Sequence, residues 1–460
     1  MKNPREAAAS ALVQMETQGA YSNLLSGSAF SGLSPRDRAF ATALFSGVLE
    51  RRITLDAALA PYLPRPLEKQ EPVLRCLLRL GAYQLLYSRV PERAGVNETV
   101  SLAKSMGRSR QAGFVNAVLR SFIRDGKRIP YPVKDPAAYD SLFYSCPLWL
   151  VRMWRSQYGP EAAGQMLSAS IGPPPLYGRV NTLRTTTQEL CSLLERQGIP
   201  VLPMGRSEET ALAGRNPLAD CLLFPQPSGV PGCSAMQEGL FHIQDAASQF
   251  CCATLAPQPG ETVVDVCAAP GGKTFTMGQW MENRGRIHSF DLYPQRVELI
   301  RSGARRLGLT IVQAESRDAL FPEPLLKGQA DRVLCDVVCS GLGTIRRKPE
   351  IKYKSSAQLD GLPLIQEQIL EQSAEYLKPG GVLVYSTCTL NRKENEGVTR
   401  RFLQRHPDIL PDPFPCVRGY TMLGTILGDP DAQPPLLWEA TLLPGMSDGF
   451  YLCRMRKQPE

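Results

Sequence analysis

Several side chains in the second half of this sequence are of types that do covalent chemistry. Cys388 lies in "YSTCTL", directly after the hydrophobic run "LKPGGVLV", and Cys339 lies in "CDVVCSGLG", three residues beyond Asp336. A cysteine just past a hydrophobic strand has two plausible lives. It is core filling, because free cysteine is among the most buried residue types, or it is a nucleophile carried on the strand's end. In the second case its environment must favour the thiolate, since an ordinary thiol with pKa ~8.5 is only a few per cent ionised at neutral pH. Cys335, Cys251 and Cys252 sit inside predicted elements and read as core.

A second cluster suits ligand binding. Asp265 opens "DVCAAPGGKT", where the small-residue turn Ala268 to Gly272 leads into a helix and leaves backbone N–H groups approachable. The tail Gly272-Lys273-Thr274 is that of a phosphate-binding P-loop, but the earlier glycine of that motif is replaced by Cys267. The G-x-G-x-x-G of a dinucleotide site is absent too. A short loop beside a carboxylate then suits a zwitterionic nucleoside such as S-adenosylmethionine. Asp291 in "SFDLYP", 20 residues beyond Gly271, is placed to accept from ribose hydroxyls, and Asp318 in "ESRDAL" to meet an adenine amino group. Either carboxylate alone is more often a turn or cap residue, a reading that three carboxylates in register at successive strand ends weaken.

These residues need a scaffold that brings strand ends together. From about residue 236 strands alternate with helices: "TVVDVCA", "RIHSFDL", "LTIVQAE", "RVLCDVV" and "GVLVYST" read as strands, "RVELIRSGARRLG" and "LIQEQILEQSAEYLKPGG" as helices. That alternation predicts a doubly wound sheet, whose ligand site lies at the strands' carboxyl ends. The closing "WEATLLPGMSDGFYLCRMRK" predicts an antiparallel hairpin at the sheet's edge. Residues 1–128 read as helix after helix. Ser34 as N-cap with Pro35 following opens one helix, and Phe114, Val115, Val118, Leu119, Phe122 and Ile123 form the apolar face of another, stopped by Gly126. Residues 129–235 predict a small α+β module, with a proline loop into the strand of "PLYGRVNTLR", a capped helix in "TTTQELCSLLERQG" and a strand at "IPVLP". The expected architecture is therefore an all-α domain over 1–128, a small α+β domain over 129–235 and a Rossmann-like α/β domain over 236–460.

Composition narrows the class. No run approaches the ~20 apolar residues that span a bilayer, and the first residues carry charge where a signal peptide would be apolar, so a soluble cytoplasmic protein without a membrane partner is expected. Thirteen cysteines without a C-x-x-C pair, with three scattered histidines, predict free thiols and no metal site. Residues 1–130 hold 19 basic and 10 acidic residues against 33 and 34 in the rest. An ordinary solvated surface accounts for such a bias about as well as an acidic partner, most often nucleic acid, does. Arg346, Arg347, Lys348 and Lys352, after Cys339, are further candidates to hold phosphates.

Taken together, "DVCAAPGGKT", "SFDLYPQRVELI", "SRDA", "CDVVCSGLGTIRRKPEIK", "YSTCTLNRKENE" and "DGFYLCRMRK" resemble the RNA 5-methylcytosine methyltransferases. "LSPRDRAFATALFSGVLERRITLD" and "GFVNAVLRSFIR" resemble the NusB-like RNA-binding domain fused to that enzyme in the RsmB/Sun (Fmu) type that acts on bacterial 16S rRNA. "FHIQDAASQ" resembles the segment entering the catalytic domain. The resemblance implies that Cys267, Ala268, Ala269, Pro270, Gly271, Gly272, Lys273, Asp291, Asp318 and Asp336 line an S-adenosylmethionine site. It implies that Cys388 is the nucleophile and that Cys339 helps release the product. It further implies an RNA partner, 16S rRNA either naked or in a small-subunit assembly intermediate, and a monomer. A tRNA cytosine-5 methyltransferase, or an assembly factor that has lost catalysis, are the alternatives. The chain departs from the family's Asp-Ala-Pro-Cys at Val337 and Val338, losing a rigid proline just before Cys339. On chemical grounds, Asp336 is the candidate to relieve charge at cytosine nitrogen 3 when a thiol adds to carbon 6.

Overall fold

The computed structural model describes residues 3–18, 29–205, 216, 218–415, 420–426 and 436–459. The chain divides into two compact units: Met1–Gly172 with Ile345–Ser356, and Pro173–Thr344 with Ala357–Glu460.

The first unit is helical throughout its described residues, as the apolar periodicity predicts. Ser34 caps the helix Pro35–Leu59 by accepting from the Asp37 N–H. The helix Ala112–Arg124 buries Val115, Val118, Leu119 and Phe122 against Leu77, Leu80 and Phe45, and Gly126 follows it with φ +71°. Two helices past residue 128, Pro136–Phe143 and Leu148–Ala169, are not anticipated by the sequence pattern. The longer is broken at Gly159 (φ 80°) and Pro160, which interrupt its apolar period.

The segment Ile345–Ser356 packs within this helical unit. Lys352 Nζ donates to the Glu50 carbonyl at 2.7 Å, Tyr353 OH to the Leu49 carbonyl at 2.6 Å, and the Arg52 guanidinium lies 3.6 Å from the Tyr353 ring centroid. Lys352 is fully buried, and burial lowers its ammonium to about 8. The expectation that it faces phosphates is therefore corrected, because its charge is spent on a main-chain carbonyl inside the unit. Lys348 is exposed, and Arg346 and Arg347 are half-buried.

In the second unit, β1 (Leu176–Val180), β2 (Leu202–Pro203), β3 (Cys221–Phe224) and β4 (Phe241–Ile243) form a small sheet in the order β2-β3-β1-β4. The helix Thr187–Arg196 packs on it and starts with a complete capping box, Thr186 with Glu189. The larger sheet contains β5 (Thr262–Asp265), β6 (Arg286–Asp291), β7 (Val312–Ser316), β8 (Ala330–Asp336) and β9 (Leu377–Thr387), which are parallel to one another. It continues with β10 (Ile409–Pro411), β11 (Phe414–Pro415), β12 (Met422–Ile426), β13 (Leu436–Leu442) and β14 (Phe450–Lys457). Its order is β11-β13-β14-β9-β8-β5-β6-β7.

Two expectations for this half are corrected. "LKPGG" reads as the end of a helix, but the helix stops at Ala374 and Leu377 already belongs to β9, paired with Ala330. Pro379 cannot continue a helix, whereas the apolar run after it suits a central strand covered on both faces. The antiparallel β13–β14 hairpin forms as expected and lies beside β9, but it is not the sheet's edge: β11 and β12 pair with β13.

Candidate active site

Strand order decides which strand ends meet. β8 lies between β5 and β9, and the register pairs Asp336 with Ser386, so the turns after both strands emerge side by side. The Cys339 and Cys388 sulfurs come to 3.3 Å. Backbone contact holds the second turn: Gly343 N donates to the Cys388 carbonyl at 3.0 Å, and Gly449 N to the Gly343 carbonyl at 2.9 Å. A Cβ at Gly343 would stand 1.9 Å from Gly449 O, so only glycine fits.

Either sulfur can donate across this contact; with Cys339 as the donor, the hydrogen bond holds Cys388 below the ordinary thiol range, against burial and the charges of Asp336 and Asp448, with help from Lys273. The same bond, followed by burial and then the Cys388 and Glu394 charges, pushes Cys339 well above it. Of the two, Cys388 is therefore the thiol whose ionised form is favoured. By contrast, burial raises Cys335 and Cys251 to about 12, and Cys252 is also fully buried, in keeping with core roles.

Asp336, whose charge acts on Cys388, also lines a cavity of about 200 Å³. One carboxylate oxygen pairs with Lys273 Nζ at 2.6 Å and the other accepts from Ser386 Oγ at 2.7 Å. Although burial disfavours the Lys273 ammonium, the Asp336 carboxylate holds it well above the usual lysine range. The cavity is walled by Cys267, Ala268, Ala269, Pro270, Gly272 and Lys273 of the glycine loop. Gly271 shapes that loop with φ +109°, and a Cβ there would meet the Phe275 ring at 2.3 Å. Asp291 is buried beside it, accepting from Ala269 N at 3.3 Å and pairing with Arg296 at 3.2 Å. Asp318 accepts from Leu320 N at 3.0 Å in its own turn, and neither it nor Asp291 is among the cavity's lining residues.

The carboxylate expected beside the loop, Asp265, and a residue not singled out, Gln244, complete the wall. Asp265, 1% exposed, takes a hydrogen bond from Thr274 on one oxygen, while its other oxygen has no hydrogen-bond partner among the described residues. Burial, with the nearby charges of Asp336 and Asp291 adding to it, raises this carboxyl to about 7. Gln244 accepts from Thr276 at 2.6 Å, and its buried side-chain N–H₂ has no hydrogen-bond partner among the described residues. An open acceptor and an open donor at one cavity fit a ligand carrying both an ammonium and a carboxylate. Gln244 lies in "FHIQDAASQ", but nothing in its spacing from residue 265 announces that the two share a cavity. Among the described residues no cluster of His, Cys, Asp or Glu could hold a metal ion, and no helix is long and apolar enough to cross a membrane. A wider groove of about 750 Å³ in the helical unit, at Tyr62, Phe114 and Arg124, contains no thiol.

A ligand cavity at the carboxyl ends of parallel strands, beside a paired thiol, defines a Rossmann-like methyltransferase domain, here joined to a helical domain. Residues 252–456 match the model of the 16S rRNA methyltransferase RsmB/F family, residues 2–124 that of the NusB family, and residues 146–212 that of the RsmF/B-like ferredoxin-like domain. The chain is 38% identical to the probable ribosomal RNA small subunit methyltransferase B of Bacillus subtilis, over 99% of this chain and 98% of that one. It is 34% identical to ribosomal RNA small subunit methyltransferase B of Vibrio cholerae, over 99% and 98%. The crystal structure of PH0851 shares the fold, with a TM-score of 0.79 at 24% identity, covering 99% of both chains. The chain belongs to the RsmB/F family of 16S rRNA methyltransferases.

Proposed function

We propose that this protein methylates carbon 5 of a cytidine in small-subunit ribosomal RNA, using S-adenosylmethionine and a covalent Cys388–cytosine adduct. The reading rests on one observation above all: a polarised thiol pair 3.3 Å apart next to the Asp336–Lys273 ion pair at a cavity. Bound by Asp265, Gln244 and the loop Cys267 to Lys273, with Asp291 and Asp318 at neighbouring strand ends, S-adenosylmethionine supplies an electrophilic methyl group. Carbon 5 of cytosine is a poor nucleophile. Addition of the Cys388 sulfur at carbon 6 makes it enamine-like, and as charge builds on the ring the Lys273 ammonium, held by the Asp336 carboxylate, offers nitrogen 3 its proton. Cys339, or a water beside it, takes the proton from carbon 5, and elimination then frees Cys388.

The target must be splayed out of its stack to reach a thiol at a strand end, which favours a loop or single-stranded cytidine. Residues 1–128 serve as the RNA-binding module, 129–235 as a bridge and 236–460 as the catalytic domain of a monomer. Bisulfite sequencing of small-subunit rRNA from cells lacking the gene, before and after incubation with enzyme and cofactor, tests the assignment: one newly protected cytidine is expected, and none refutes it. Cys388→Ser abolishes turnover. Cys339→Ala leaves a protein–RNA adduct on a denaturing gel, and free protein alone would remove Cys339 from the release step.

A further inference from the structure

We propose that Glu394 is a positioning residue for both thiols: its carboxylate latches the Cys339 loop to the Cys388 loop and so sets the sulfur–sulfur approach. The proposal deepens the reaction given above and, for its mechanistic meaning, rests on it. Glu394 is fully buried, six residues past Cys388 in sequence, and takes donors from three separate segments. From beside Cys339, Ser340 donates its N–H at 2.8 Å and its hydroxyl at 2.6 Å. From the turn after Cys388, Asn391 Nδ2 donates at 2.9 Å. From the helix Leu362–Ala374, Gln366 Nε2 donates at 3.0 Å.

The latch is reinforced at each end. Ser340 Oγ also meets Thr389 Oγ1 at 2.5 Å, and Gln366 Nε2 also reaches the Val338 carbonyl at 3.0 Å. The Glu394 carbonyl accepts from Tyr385 OH at 2.6 Å, tying the latch to β9. Ser340 beside Cys339 thus bonds Glu394 directly, and Thr389 beside Cys388 is tied to it through Ser340. Valine at 338 leaves the backbone before Cys339 freer than a proline would, and the Gln366–Val338 bond restrains the same point from outside.

The acceptor must be a carboxylate. Two oxygens offer about four acceptor sites, and four donor hydrogens fill them; a glutamine keeps the shape but turns an N–H₂ toward two donors. A buried polar network missing one partner is costly, so the loops would shift rather than tolerate it. A carboxylate that merely stabilised the fold would leave the reactivity of the two sulfurs untouched, and this separates the alternatives.

The test is the pH profile of iodoacetamide alkylation at Cys388 and Cys339, followed by peptide mass spectrometry on the full-length protein without RNA or cofactor. The charged groups acting on Cys388 are Asp336, Lys273 and Asp448, and Glu394 acts on Cys339. In the native protein Cys388 reacts with a lower midpoint than Cys339. In Glu394→Gln the two midpoints converge toward the ~8.5 of a free thiol. The kcat for methyl transfer falls by on the order of 100-fold, as expected of a ~1 Å misplacement, with the cofactor KM unchanged. Ser340→Ala and Asn391→Ala, each removing one donor, produce smaller shifts in the same direction and carry the test if Glu394→Gln does not fold. Equal midpoints in the native protein, or unchanged midpoints in the folded variants, overturn the proposal. Because alkylation needs neither substrate nor cofactor, its result stands apart from whether cytosine is the base methylated.

Discussion

Asp265 joins the chemistry of a single residue to a measurable pH dependence. Its carboxyl is raised to about 7 in the unliganded protein because it is buried near other carboxylates. To pair with an ammonium it must first lose its proton. Affinity for S-adenosylmethionine is therefore full above this value and falls about tenfold per pH unit below it. Calorimetric titration from pH 8 to 5.5 reads this slope, and Asp265→Asn gives weaker, pH-independent binding over that range. A slope that survives in the variant would assign the titration elsewhere. Gly343 makes a steric prediction at the same scale. An added methyl stands 1.9 Å from Gly449 O and 2.9 Å from the Cys388 carbonyl, so Gly343→Ala forces two backbones apart. The expected cost is about 1–3 kcal/mol, read by denaturant melting, with loss of turnover exceeding the loss of cofactor binding.

Among the elements, the segment Ile345–Ser356 begins six residues after Cys339 yet belongs to the helical unit. Lys352 anchors it as a buried donor, not as a surface cation. Its folded-state ammonium, lowered to about 8 by burial, titrates below the ordinary lysine value of 10.5. Between those values the unfolded chain binds the extra proton, so this group makes stability rise with pH across that window, its full cost remaining below it. Lys352→Met preserves length and burial, and the rise between pH 8 and 10 should be smaller than in the native protein by thermal melting. Salt-dependent RNA binding should stay unchanged in this variant, because the replaced charge faces a carbonyl.

Across the whole molecule, the charge asymmetry calls for a different measurement. The excess of basic residues lies in 1–130, and Arg110, Arg120 and Arg124 are exposed there. Replacing all three by glutamine lowers the slope of log affinity against log salt by about 0.7 for each phosphate that is no longer neutralised on single-stranded RNA. An unchanged slope would place the phosphate-binding surface elsewhere. Much of the architecture is legible in the chain because it is written in local rules. Ser34 and Pro35 announce a helix start, apolar runs announce central strands, and a glycine loop after Asp265 announces a ligand turn. The helix broken at Gly159 is hidden because its period is interrupted there, and "LKPGG" misleads because strand pairing with Ala330 outweighs the preceding helical pattern. The sequence by itself determined the residue types, the strand ends that carry them and the alternation that predicts a doubly wound sheet. Only the tertiary structure decided that β8 and β9 adjoin, that the two sulfurs come within hydrogen-bond reach, that Lys352 is buried, and that donors from residues 340, 366 and 391 meet on Glu394. Apart from the local Asn391–Glu394 turn, these are meetings of segments far apart in the chain, fixed by strand order and packing, and no local spacing encodes them.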